Sequence, residues 1–88
     1  MFDQVIDYIS QLETPGYFIT AGCSKEANKM PGGLRNFIYD KLSLINQGLK
    51  TRKFIYQEDG WRIILTFFPT TEVVEERYAL KNEVYKRR

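Results

Sequence analysis

Thr51-Arg52-Lys53-Phe54-Ile55-Tyr56-Gln57-Glu58-Asp59-Gly60-Trp61-Arg62-Ile63-Ile64-Leu65-Thr66-Phe67-Phe68 is two strand-like runs around a tight turn. Thr51 to Gln57 and Trp61 to Phe68 are rich in β-branched and aromatic residues, and Asp59-Gly60 between them supplies the backbone freedom that a short hairpin loop needs. Arg52, Phe54 and Tyr56 alternate with Lys53, Ile55 and Gln57, so the first strand has a polar side. In the second, Trp61, Ile63, Leu65 and Phe67 interleave with Ile64 and Phe68, so it is apolar on both faces and belongs at the centre of a sheet.

Upstream of the hairpin, Leu34, Phe37, Ile38, Leu42, Leu44 and Ile45 recur at helical spacing and are expected to face a core, with Arg35, Asn36, Tyr39, Asp40 and Ser43 outward. Gly48 followed by Leu49 is the pattern of a glycine-terminated helix. Phe2, Val5, Ile6, Ile9 and Leu12 make an amphipathic first helix, ended by Thr14-Pro15-Gly16. Tyr17 to Ala21 reads as a strand. Gly22-Cys23-Ser24 is then expected to turn the chain, with Ser24 capping a short helix through Met30 that Pro31-Gly32-Gly33 breaks. Past the hairpin, Pro69 ends pairing, Thr70 or Thr71 caps, and Val73, Val74, Tyr78, Leu80 and Val84 form a closing helix. The expected fold is therefore α+β, in the order αβααββα, with a small three-stranded antiparallel sheet packed with helices.

At 88 residues the chain suits one domain over 1–88, because so short a chain buries only about 60–65% of its unfolded surface and cannot divide that between two cores. It is 43% apolar and 27% charged, which is the composition of a chain that folds. Two acids near the N-terminus argue against a secretory signal, and no apolar run approaches a membrane span. One cysteine cannot staple the chain, so a reducing, cytoplasmic setting is expected.

Histidine is absent and Cys23 stands alone, which removes the common proton shuttle near neutral pH and the second thiol of a tetrahedral zinc site. No cofactor motif of the GxxxxGK[ST] or GxGxxG type occurs, and the acids have no spacing that forces two carboxylates together. Cys23 follows a strand as phosphatase cysteines do, but Lys29 stands where that motif places arginine, and lysine makes no bidentate phosphate fork. A structural thiol is the better reading. Gly32-Gly33 before a helix can hold an anion, but a flexible turn is the better reading. A non-enzymatic binding role is expected by subtraction.

The charge is uneven. Residues 25–53 carry Lys25, Lys29, Arg35, Lys41, Lys50, Arg52 and Lys53 against Glu26 and Asp40, a balance of +5 within a chain of net +2. That segment is where an anionic partner is expected to bind, if there is one. A further cluster, Lys81, Lys86, Arg87 and Arg88, suits the C-terminal end of a helix.

Ile45-Asn46-Gln47-Gly48-Leu49-Lys50-Thr51-Arg52 followed by Asp59-Gly60-Trp61-Arg62-Ile63-Ile64-Leu65-Thr66 resembles the end of a recognition helix and the wing of winged helix-turn-helix regulators of the MarR type. The element order is also similar. The resemblance implies a regulatory protein whose helix lies in the major groove, with Arg35, Asn36 and Tyr39 facing bases or phosphates and the wing touching the backbone. Lys25, Lys29, Arg52, Lys53 and Arg62 are the expected phosphate contacts. The other expectation is an adaptor or inhibitor, of the kind phages and mobile elements encode, that occupies a partner protein's surface. Neither expectation involves a membrane.

Overall fold

A computed structural model describes residues 1–72 of the protein. Helix α1 spans Phe2–Ser10, strand β1 Tyr17–Lys25, helix α2 Leu34–Asn46, strand β2 Lys53–Tyr56 and strand β3 Arg62–Pro69, and a single helical turn, α3, spans Thr70–Glu72. The strands form one antiparallel sheet in the order β1-β3-β2. The α+β class, the three-stranded antiparallel sheet and the central place of the Trp61–Phe68 run are as the sequence led us to expect. The expected closing helix through Val73, Val74, Tyr78, Leu80 and Val84 lies outside the described residues, as does the Lys81, Lys86, Arg87, Arg88 cluster.

The hairpin forms for the reason its turn residues suggest. Asp59 (φ 57°) and Gly60 (φ 83°) both adopt left-handed backbone, and the Trp61 amide donates to the Glu58 carbonyl at 2.9 Å. Two consecutive left-handed residues inside an i to i+3 bond make a type I′ turn, whose twist matches that of the flanking strands. Helix α2 ends as its glycine predicts. Gly48 sits at φ 115°, its amide reaches the Ile45 carbonyl at 3.0 Å, and the Leu49 amide reaches Leu44 at 3.0 Å, the paired bonds of a Schellman motif.

Alanine at Gly48 is expected to destabilise the fold by about 1–2 kcal/mol, since a Cβ is penalised in left-handed backbone. Alanine at Gly60 should cost more, because its Cβ would also meet the Ala27 Cβ at 3.0 Å. Thermal melts check both, at about 4–8 °C per kcal/mol for a domain of this size.

One expected element does not form. Residues 24–30 are not helical: β1 continues through Gly22, Cys23 and Ser24 to Lys25, and the chain from there to Gly33 is irregular. The cause is non-local. β3 offers partners along its whole length, Gly22 opposing Ile64, Cys23 opposing Ile63 and Lys25 opposing Arg62, with an irregularity between Cys23 and Lys25 that has the two-against-one count of a β-bulge at Ser24. The Ser24 hydroxyl, expected to cap a helix, instead donates to the Arg62 carbonyl at 3.5 Å.

The core lies between the two longer helices and one face of the sheet. Val5 and Ile9 of α1, Leu34, Ile38, Leu42 and Ile45 of α2, and Ile19, Tyr56, Trp61, Ile63, Leu65 and Phe67 from the sheet and its hairpin are all buried. Phe37 packs edge-on against Tyr56 with ring centroids 5.3 Å apart, and Phe54 against Phe67 at 5.6 Å, a favourable orientation for aromatic pairs. Two residues of α2 depart from their expected sides. Leu44 is exposed, whereas Tyr39 is half-buried against the core.

Candidate nucleic-acid interface

The pleat assigns each strand residue to one side of the sheet. Ile19, Ala21 and Cys23 of β1, Phe54 and Tyr56 of β2, and Ile63, Leu65 and Phe67 of β3 share the helix-packed face, as their register and burial show. The opposite face carries Phe18, Thr20 and Gly22, then Arg62, Ile64, Thr66 and Phe68, then Lys53 and Ile55. None of these nine residues belongs to the core or the side chains packed on it. The apolar second side of β3 thus marks its central position, but neither α1 nor α2 covers that side.

The two faces divide the eight expected contact residues into two groups. Lys25 stands opposite Arg62, so both lie at one end of the outer face, and Lys53, opposite Thr66, lies on the same face four β3 positions further along. Their Cα atoms mark out a patch about 13 Å long and about 10 Å wide, from the usual rise per residue and strand spacing. Among the described residues the ion pairs are Met1 to Glu26 and Lys41 to Asp40, so Lys25, Lys53 and Arg62 are paired to no described carboxylate; Lys25 and Lys53 are exposed and Arg62 is half-buried. The Nε of Arg62 is buried without a hydrogen-bond partner.

The second group lies on the helix side. Arg35 and Asn36 are exposed on α2, with the Arg35 guanidinium over the Tyr39 ring at 5.2 Å. Arg52 shares the side of Phe54 and Tyr56 and lies over the Tyr17 ring at 5.4 Å. Its carbonyl accepts from the Phe67 amide at 2.8 Å, so this residue is tied into the sheet end. Lys29 sits in the irregular loop, where its carbonyl accepts the Trp61 indole N–H at 2.8 Å, and its side chain borders an open cleft of about 550 Å³ with Asn28, Gly32 and Asp59. The fold therefore does not gather all eight residues onto one surface. Sequence reasoning did not count Ile64, Thr66 and Phe68, half-buried on the outer face, among the contact residues, although the even-numbered alternation of β3 was the signal that located them.

Trp61 and Tyr56, two rings that could have stacked on a ligand, are buried. Cys23 is half-buried beside the core and its thiol donates to the Lys25 carbonyl at 3.1 Å, as a structural thiol does. No group of three or more metal-ligating side chains comes together among the described residues, and no described helix is long and apolar enough to cross a membrane.

The hairpin tip is acidic and partly committed to internal bonding. The Tyr56 hydroxyl donates to Asp59 Oδ2 at 3.0 Å. Burial, reinforced by that bond and the Asp59 charge, pushes the phenol from its ordinary 10.0 up to about 12. The neutral phenol is thus favoured by folding. Between pH 10 and about 12 the unfolded chain releases this proton while the folded chain holds it, so stability is full below the window and falls as pH rises through it. Tyr56→Phe should flatten that alkaline fall in melts recorded across the window, at a neutral-pH cost of about 0.5–1.5 kcal/mol for the lost bond.

No protein-family model, no curated protein and no solved structure matches this chain.

Proposed function

We propose that the chain is a small, non-enzymatic regulatory protein that binds nucleic acid. The observation that supports it is the grouping of Lys25, Lys53 and Arg62 on one sheet face, with no carboxylate paired to them among the described residues. Cations left unpaired on a shared face bind a polyanion by releasing its counterions, whatever its sequence. The acidic pair Glu58 and Asp59 at the turn repels a phosphate backbone, which argues against a contact at the turn itself.

The mode implied by the MarR-type resemblance uses the other group, with α2 in the major groove through Arg35, Asn36 and Tyr39. α2 packs on the face opposite Lys53 and Arg62, so the two groups cannot touch the same few base pairs. Lys53→Ala and Arg35→Ala separate the modes. Lys53→Ala should weaken binding to all sequences alike and lower the salt slope by about 1, whereas a larger, sequence-dependent loss with Arg35→Ala favours the groove mode. Lack of retention on DNA and RNA columns at about 50 mM salt rejects the nucleic-acid reading.

A second reading, an adaptor or inhibitor on a partner protein, draws on Ile55, 45% exposed on an edge strand, with Leu44 and Leu49 also exposed. An edge strand with an exposed apolar residue suits strand addition by a partner. Recovery of one protein from a nuclease-treated lysate, abolished by Ile55→Lys, would select it.

A further inference from the structure

We propose that the outer sheet face takes single-stranded nucleic acid, with bases lying over Ile64 and Phe68 and the backbone held by Lys25, Arg62 and Lys53. This rests on the nucleic-acid reading above and adds to it the strand state and the surface.

Charge complementarity is the first support. The face carries Lys53 and Arg62, with Lys25 at its end, and no carboxylate among Phe18, Thr20, Gly22, Ile55, Ile64, Thr66 and Phe68. The centre of the face is apolar and its cations are peripheral, an arrangement unlike a duplex-binding surface. A duplex presents phosphates on its outside, and apolar side chains facing them gain nothing. A single strand presents both parts, its unstacked bases to aromatic and aliphatic side chains and its backbone to cations.

Shape gives the second support. Three strands span about 10 Å between outer backbones before side chains are added, and the major groove is about 12 Å wide, enough for one helix or a two-stranded ribbon. With the thickness of the edge strands and their side chains added, a three-stranded face exceeds the two-stranded ribbon that the groove admits. The same breadth accommodates splayed bases, and Thr20 and Thr66, Cα partners at mid-sheet, add hydroxyls that can bond base edges or ribose without selecting a sequence.

The test uses the full chain and three probes of equal length: an oligothymidylate, an oligouridylate and a mixed-sequence duplex. Both single strands should bind at least tenfold tighter than the duplex at about 50 mM salt, and the difference between the first two assigns DNA or RNA. Phe68→Ala should weaken single-strand binding by about 5- to 150-fold, the range for loss of one stacking side chain, and Phe68→Tyr should restore it. Independently of any variant's folding, oligothymidylate or oligouridylate added to the wild-type chain should shift the amide resonances of Ile55, Ile64 and Thr66.

Equal affinity for duplex and single strands, with those resonances unmoved, overturns the inference and leaves nucleic-acid binding standing. No binding to any probe overturns both. Self-association lost with Phe68→Ala, without binding to a probe, assigns the face to a second copy. Protection of Ile64 and Thr66 from a soluble paramagnetic probe in the free monomer assigns it to a cover from the chain itself. Either result overturns the proposal.

Discussion

Trp61→Ala is expected to lower the unfolding free energy by about 3–5 kcal/mol, the range for emptying a large aromatic site in a core. Trp61 is 1% exposed and directly follows the type I′ turn. Its ring fills the end of the core, and its N–H holds the Lys29 carbonyl at 2.8 Å, tying the irregular 26–33 chain to the hairpin. Two losses are therefore combined, a cavity and an anchor. Trp61→Phe separates them, because it keeps much of the ring volume and removes the bond; its cost should be about half that of alanine or less, with the bond itself contributing about 0.5–1.5 kcal/mol. Total stabilities of domains run at about 5–15 kcal/mol, so the alanine variant should lie near the edge of folding. Urea titrations read both, as a lowered midpoint at unchanged slope. An alanine cost below about 1 kcal/mol would contradict the packing described for this residue.

Raising salt from about 50 to 200 mM should weaken nucleic-acid binding by roughly 300-fold if all six cationic contacts, Lys25, Lys29, Arg35, Arg52, Lys53 and Arg62, neutralise one phosphate each on a single strand, from a slope of about −0.7 per contact. The structure divides these six. With only Lys25, Lys53 and Arg62 on the outer face, the slope falls to about −2 and the loss to roughly 20-fold. The measured slope thus counts the cations in contact. A value near about −4 requires a ligand that wraps from one side of the sheet to the other, and a value near zero removes phosphate contact altogether.

The hairpin and the glycine-terminated helix were legible because their causes are local. Asp59-Gly60 and Gly48 take backbone conformations that few other residues tolerate, and each bonds to carbonyls within a few positions. The alternation through Phe54, Tyr56, Ile63, Leu65 and Phe67 likewise places those side chains on one side before any partner is known. Residues 22–30 resist such a reading because their conformation is not chosen locally. Gly22 and Ser24 look like turn chemistry in isolation, yet their strand is extended by residues 62–64, about forty positions away. Tyr39 and Leu44 exchanged their expected environments because the 3.6-residue period fixes the buried side of α2 only to within about one residue of arc, and the sheet decides the rest.

The candidate site shows the same division. Composition located the positive charge between Lys25 and Lys53, and the absence of histidine and of a second cysteine narrowed the chemistry. Only the β1-β3-β2 order set Lys25 beside Arg62 and carried Lys53 to the same face, and only the packing of α2 on the other face put Arg35, Asn36 and Tyr39 on that side. A sequence fixes which residues alternate and where backbone must bend, because those are properties of neighbours. Which cations share a surface depends on register between distant strands and on which face the helices cover, and both are set by packing the whole core at once.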